Sequence, residues 1–416
     1  MGFAVTGSVN TPICEPGATV QLVAAPTTVV VDVPGSSPSL VPQATNAKQM
    51  SDEVQRTTET GLRIEESYHA GPPQLRTDAG GMPDTFVTQS PIPSIRFRRM
   101  RSKQAPLHSG YGEQITAREA LGGRDLTGAF ALVTGGHAGI GLQTTRALAE
   151  AGATVLVGAR AVEPARAALA GIASVEVDRL DLLDPTSIDA FAARVVAAGR
   201  PLHMLVNNAG IMAPPLARDA RGFESQLATN HIGHFQLTAR LWPALRAANG
   251  ARVVSLSSRG HSRAGIDFDD PHFERRPYDK WIAYGQSKTA NALFALALDA
   301  RGEPQRIRAF AVHPGAVMTD LVRSLPAEEL QAIRARLVGA TYKTTEQGAA
   351  TSVWCATSPQ LDGMGGVYCE DADIATPVAA DSTQLGGVRP WATDPDAAER
   401  LWGVSEGWTG AGIDRK

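Results

Sequence analysis

Cysteine is scarce in this chain of 416 residues: Cys14, Cys355 and Cys369 stand far apart and leave an odd number. That excludes a disulfide framework and a C-x-x-C metal or redox site, and it fits a reducing compartment. An excess of either charge is also missing. The formal net charge of −3 gives no bulk reason to expect nucleic acid or an acidic membrane as partner. Long apolar runs are absent as well, since the stretch 20–33 is interrupted by Pro26 and two threonines and no basic n-region opens the chain. No secretory signal or spanning helix follows, and a cytoplasmic protein acting on a small molecule is expected.

The first hundred residues lack a core. They hold 11 of the 27 prolines but four aromatics, with Ser, Thr and Gly filling much of the rest, so residues 1–103 read as a disordered extension with at most a short strand or two at 86–97. Its basic run Arg96-Phe97-Arg98-Arg99-Met100-Arg101-Ser102-Lys103 reads as a solvated linker rather than a nucleic-acid patch. From Phe130 the pattern changes. Apolar β-rich runs at 129–134, 154–157, 175–177, 204–206, 252–256 and 307–312 alternate with alanine-rich helical stretches at 142–151, 164–170, 187–198, 223–248 and 281–300. This alternation predicts, over residues 104–416, an α/β domain: one doubly wound parallel sheet of about seven strands with helices on both faces, binding its ligand beyond the carboxyl ends of the strands. Helices at 325–337 and 344–357 would form a lid, 365–368 a last short strand, and 370–416 a tail around the surface.

The first strand runs into Thr134-Gly135-Gly136-His137-Ala138-Gly139-Ile140-Gly141-Leu142. Gly135 permits a tight turn, Gly139 a close backbone approach to a pyrophosphate, and Gly141 close helix–strand packing; the helix N-terminus that includes Ile140 offers N–H groups to phosphate. His137 could touch phosphate too, although a solvent-exposed filler is the plainer expectation. About twenty residues on, an NAD site would place an acid against the ribose 2′-OH, but Val157-Gly158-Ala159-Arg160 stands there. Arg160 suits a 2′-phosphate, so NADP(H) is the expected cofactor. Asp181, after the third strand, could accept from the adenine amino group. Asn208, Ala209 and Gly210, after the fourth, could admit the adenine ribose and tie neighbouring strands together.

Tyr284 and Lys288 are i, i+4 neighbours on a helix, which sets an ammonium beside a phenol that would otherwise ionise only near pH 10. Ser258 ends the fifth strand, where a hydroxyl can polarise a substrate carbonyl, and Asn230 could hold a water beside Lys288 in a proton path. His231 and His234 stand i, i+3, but no carboxylate or cysteine lies close in sequence, so they read as buried hydrogen-bonded histidines and no metal is expected.

Together the glycine loop, 207–210, Asn230, Ser258, Tyr284 with Lys288, and His313-Pro314-Gly315-Ala316-Val317-Met318-Thr319 resemble the short-chain dehydrogenase/reductase family in order and spacing over about residues 113–375. The insert at 263–281 and Asn230-His231-Ile232-Gly233-His234-Phe235 look like its retinol-dehydrogenase and WW-domain-oxidoreductase branch, without a WW domain. The resemblance implies a Rossmann-type fold and an NADP(H) oxidoreductase acting on a hydrophobic carbonyl or alcohol. Tyr284 would be the acid/base, Lys288 its activator and ribose contact, Ser258 the orienter and Asn230 the relay. Pro314, Gly315, Val317 and Thr319 would border the nicotinamide. A homodimer through the helices of Asn230 and Tyr284 is also implied. A silent NADP(H) sensor of the same fold is the alternative, disfavoured because both Tyr284 and Lys288 are retained. Residues 1–99 have no counterpart in the pattern and are expected to be dispensable.

Overall fold

The computed structural model describes residues 22–24, 27–29 and 103–413, apart from 320, 323–324 and 337–341. The chain divides into two units, Met1–Pro91 and Ile92–Lys416. In the first, Leu22–Ala24 pairs antiparallel with Thr27–Val29, so six residues of the expected disordered extension form a small hairpin. Their β-branched residues favour the extended pairing. The strand expected at 86–97 and the basic run 96–102 lie outside the described residues.

In the second unit, seven parallel strands form a sheet: β1 Phe130–Thr134, β2 Thr154–Ala159, β3 Val175–Arg179, β4 Met204–Asn207, β5 Arg252–Leu256, β6 Arg308–His313 and β7 Val367–Glu370. An eighth, β8 Asp373–Ile374, adds an antiparallel edge, giving the order 8-7-6-5-4-1-2-3. The central strands read as near-continuous apolar runs because both of their faces are covered. Alternate residues serve opposite layers. Leu132, Leu205, Val253 and Ala309 pack with Phe191, Phe235, Leu293 and Phe294 on one side. Val133, Val206, Val254 and Phe310 pack with Leu148, Val353 and Trp354 on the other. The order reverses between β1 and β4, where both adjoining crossovers leave the carboxyl edge and open a crevice.

Three expectations need correction. The stretch 223–248 is not one helix: a single turn Ser225–Leu227 passes into a π-helical turn Ala228–Ile232, then α-helices Gly233–Arg240 and Trp242–Ala247, the last with Pro243 in its first turn. The 344–357 segment is no lid. Helix Thr345–Thr357 buries Ala349, Val353 and Trp354 against the sheet as the crossover between β6 and β7. Nor does the tail merely wrap the surface, because it ends in helix Pro395–Thr409, capped by Asp394, with Leu401 and Trp402 buried. Trp402 stacks on Phe294 at 6.1 Å and His231 Nε2 lies 2.8 Å from Ser405 Oγ. The chain's own C-terminal helix thus packs against Phe294 and His231, on the two segments through which a homodimer was expected.

Candidate active site

A cavity of about 810 Å³ opens at the carboxyl edge of the sheet. Its wall includes Gly135, His137, Gly139, Ile140, Gly141, Arg160, Asp181, Asn208, Ala209, Gly210, Ser258, Tyr284, Lys288, Pro314, Gly315, Val317 and Thr319. Of the residues predicted from sequence, Asn230 alone stands behind the wall.

At the glycine-loop end, Gly135 (φ +64°) and Gly139 (φ +52°) occupy the left-handed region that favours glycine. A Cβ on Gly141 would come 2.4 Å from Asn208 Nδ2 and 2.5 Å from the Gly135 carbonyl oxygen, so the loop packs with nothing to spare. Asn208 Nδ2 donates to the Thr134 carbonyl at 2.8 Å, tying β4 to β1. The Thr134 hydroxyl accepts from the Asn208 and Ala209 N–H groups at 2.9 and 3.0 Å and meets His234 Nε2 at 2.8 Å. His137 is not solvent-exposed filler. It is half-buried in the wall, its Nδ1 is shielded without a partner, and desolvation lowers its pKa. Arg160 is exposed at the rim after β2. Asp181 turns its carboxylate inward to cap its own loop, accepting from the Leu183 N–H at 3.1 Å, while still touching the cavity.

At the other end, helix Lys280–Gly302 carries Tyr284 and Lys288 on one buried face, each 5% exposed. Burial pushes the Tyr284 phenol up to about 12, opposed by a hydrogen bond to Ser258 and the charge of Arg263. Burial also draws the Lys288 ammonium down to about 8; it donates to the Leu256 carbonyl at 2.9 Å and lies 5.7 Å from the Tyr284 ring centre. The two serines divide the work. Both line the cavity, but the Ser257 hydroxyl is committed to the Lys288 carbonyl at 2.7 Å, whereas Ser258 Oγ accepts from the Gly260 N–H at 3.0 Å.

Asn230 sits in the π-helical turn, the kind of distortion common at functional sites. Its Nδ2 donates to the Ile211 carbonyl and Ser287 Oγ at 3.0 and 2.9 Å, and its Oδ1 accepts from the Ile211 N–H at 2.9 Å. The amide therefore fastens the loop after β4. Gly210 fills the space before it; a Cβ there would lie 3.1 Å from Asn230 Oδ1 and 3.5 Å from Lys288 Nζ. His231 and His234 are buried, desolvated to pKa values of about 3 and 4.

Sequence reading missed Arg259, Gly260, His261 and Tyr368. Arg259 lines the cavity with Nε buried and unpartnered. Gly260 packs so close to Tyr284 that a Cβ would fall 2.6 Å from its ring. Neither an arginine nor a glycine after a serine pair carries a signal of its own.

A sequence description of the family called short chain dehydrogenase matches residues 129–330. A probable oxidoreductase of Streptomyces lividans is 47% identical over 290 residues, covering 67% of this chain and 96% of that protein. This chain belongs to the short-chain dehydrogenase/reductase family. Membership makes it an oxidoreductase that transfers a hydride between a nicotinamide cofactor and a carbonyl or alcohol carbon. Its retinol-dehydrogenase-like branch is borne out by human retinol dehydrogenase 12, 38% identical over 67% of this chain and 86% of that one. Mouse polyprenol dehydrogenase is 40% identical over 68% of this chain and 85% of that one. A solved structure of an uncharacterised protein from Mycobacterium paratuberculosis has a TM-score of 0.56 and 34% identity, covering 70% of this chain and 97% of that one.

Proposed function

We propose that this oxidoreductase uses NADP(H) and interconverts a hydrophobic aldehyde or ketone with its alcohol. The cavity fits a dinucleotide: glycines leave no room for side chains along one wall, and His137 Nδ1 and Arg259 Nε are buried there without partners. Gly135, Gly139, Ile140 and Gly141 would hold the pyrophosphate, Asp181, Asn208, Ala209 and Gly210 the adenosine half, and Pro314, Gly315, Val317 and Thr319 the nicotinamide. The observation that carries the cofactor choice is charge. Among the described residues, Arg160, Arg259 and Lys288 line the cavity against Asp181 as the one carboxylate, and Arg160 occupies the place where an acid would repel a 2′-phosphate.

When bound, the nicotinamide supplies or accepts the hydride. Ser258 Oγ has one lone pair taken by Gly260, which leaves its proton to point at a substrate oxygen. The Tyr284 phenol is fully protonated near neutral pH and would donate its proton to the same oxygen during reduction. Lys288 stabilises the phenolate left behind, and Asn230 keeps the loop at Gly210 and Ile211 in place beside it. The exposed apolar side chains Met318 and Tyr342 at the cavity's edge favour a hydrophobic substrate. The test follows NADPH oxidation with a panel of apolar aldehydes and ketones. Wild type should turn over, Tyr284→Phe should lose about 10²–10⁴-fold in kcat while still binding NADPH, and Arg160→Gln should lose roughly 10–100-fold in kcat/KM for NADPH but not NADH. Equal use of NADH by the wild type would overturn the cofactor assignment.

A further inference from the structure

Behind Ser258 lies a buried cluster drawn from distant parts of the chain. The Ser258 carbonyl takes three contacts: the His261 N–H at 3.1 Å, His261 Nδ1 at 2.7 Å and the Tyr368 hydroxyl at 3.1 Å. His261 and Tyr368 are 2% and 1% exposed, so no water competes for these bonds. On the far side of the imidazole, the Arg389 backbone N–H donates to His261 Nε2 at 3.2 Å, and Trp391 Nε1 donates to the His261 carbonyl at 2.8 Å.

These partners fix the tautomer. A nitrogen that accepts from a backbone N–H carries no proton, so the one proton of the neutral ring sits on Nδ1, aimed at the Ser258 carbonyl. Desolvation lowers the ring's pKa to about 4, which keeps it neutral at ordinary pH. Tyr368 Oη, 3.0 Å from Nδ1, donates to the same carbonyl. With its carbonyl held by these donors and Oγ accepting from Gly260, Ser258 has little freedom to turn. Tyr368, Arg389 and Trp391 all lie beyond residue 330, where the family match ends.

We infer that His261 is a positioning residue for Ser258, locked as the Nδ1–H tautomer by the Arg389 backbone, so that the C-terminal segment sets how the Ser258 hydroxyl meets the substrate oxygen. The inference rests on the role proposed for Ser258. His261→Ala removes the donor and the acceptor, His261→Asn keeps a donor where Nδ1 stood, and Tyr368→Phe removes one hydroxyl. His261→Ala should lower kcat about 10–100-fold with the Kd for NADPH unchanged, because a misplaced polarising group costs rate rather than cofactor binding. His261→Asn should recover most of that loss, and Tyr368→Phe, the variant least able to disturb folding, should lose about threefold. An unchanged kcat in folded His261→Ala, or an Asn variant as damaged as the Ala variant, would overturn the inference. Wild type that turns over no carbonyl strikes instead at the reductase reading. In that event nitrogen-resolved NMR of the imidazole, which needs no substrate, still decides: a proton on Nε2 refutes the positioning arrangement and a proton on Nδ1 supports it.

Discussion

Lys288 should cost the fold stability at neutral pH, and Lys288→Met should therefore raise the melting temperature while abolishing turnover. The ammonium is 5% exposed and, among the described residues, has no ion-pair partner and one hydrogen bond, to the Leu256 carbonyl. A fall from the ordinary 10.5 to about 8 corresponds to roughly 3 kcal/mol against the charged form at pH 7. Replacing the amine with a thioether of similar length removes that penalty and forfeits one hydrogen bond, about 1 kcal/mol net. The Leu256 oxygen is not orphaned, because Asn291 Nδ2 also donates to it at 2.8 Å. About 2 kcal/mol of gain remains, and with roughly 2 cal/mol/K of unfolding entropy per residue over about 300 residues it raises Tm by ~3 °C. The sign with pH follows from linkage. The folded pKa is depressed, so the penalty is complete below pH 8, is relieved between 8 and 10.5, and is absent above the unfolded value. Calorimetry of unliganded wild type and variant from pH 7 to 10.5 tests this. A variant that melts lower at pH 7, or a gap that does not close as pH rises, refutes the reasoning.

Other outcomes follow from the same site. For the reduction direction, kcat/KM should stay level from pH 6 to 7.5 and fall as Lys288 loses its charge near pH 8, since Tyr284, at about 12, keeps its proton throughout; a profile level to pH 9.5 contradicts this. Gly260→Ala sets a methyl 2.6 Å from the Tyr284 ring and should cost about 1–3 kcal/mol of stability and most of the activity, read by urea unfolding and turnover. A chain beginning at Met100 should stay soluble and bind NADPH. One beginning at Gly110 should not, because Gln104 bonds the Tyr368 and Ala375 carbonyls at 2.8 and 2.7 Å and accepts from the Tyr368 N–H; light scattering and NADPH fluorescence separate the two.

The central strands were legible because burial on both faces writes them as apolar runs, and the glycine loop and Tyr284–Lys288 pair because their spacings are local. The helix Pro395–Thr409, expected only as part of a surface tail, was readable in principle: Asp394 caps it, Pro395 opens it, and Ala398, Leu401, Trp402 and Ser405 recur at helical spacing on a buried face. The π-helical turn at Asn230 was not, since the surrounding helix former pattern continues through it and only tertiary bonds to Ile211 and Ser287 reveal the extra residue. His261 and Tyr368 are 107 positions apart, and no spacing rule joins them. Likewise, helix Thr345–Thr357 resembled a surface cover because alanines pack a core as readily as they fill an exposed helix.

The tail's grip on the Ser258 turn has a consequence for synthesis. On a ribosome, β1 to β6 with Tyr284 and Lys288 emerge well before Arg389, Trp391 and the helix that shields Phe294. A nascent or prematurely ended chain can therefore hold the strands of its crevice while the brace on His261 and the cover over Phe294 are still missing. Completion of the core and of the Ser258 turn would both wait for the residues after 388. A stop codon in that stretch would leave core side chains such as Phe294 uncovered and the product prone to aggregate.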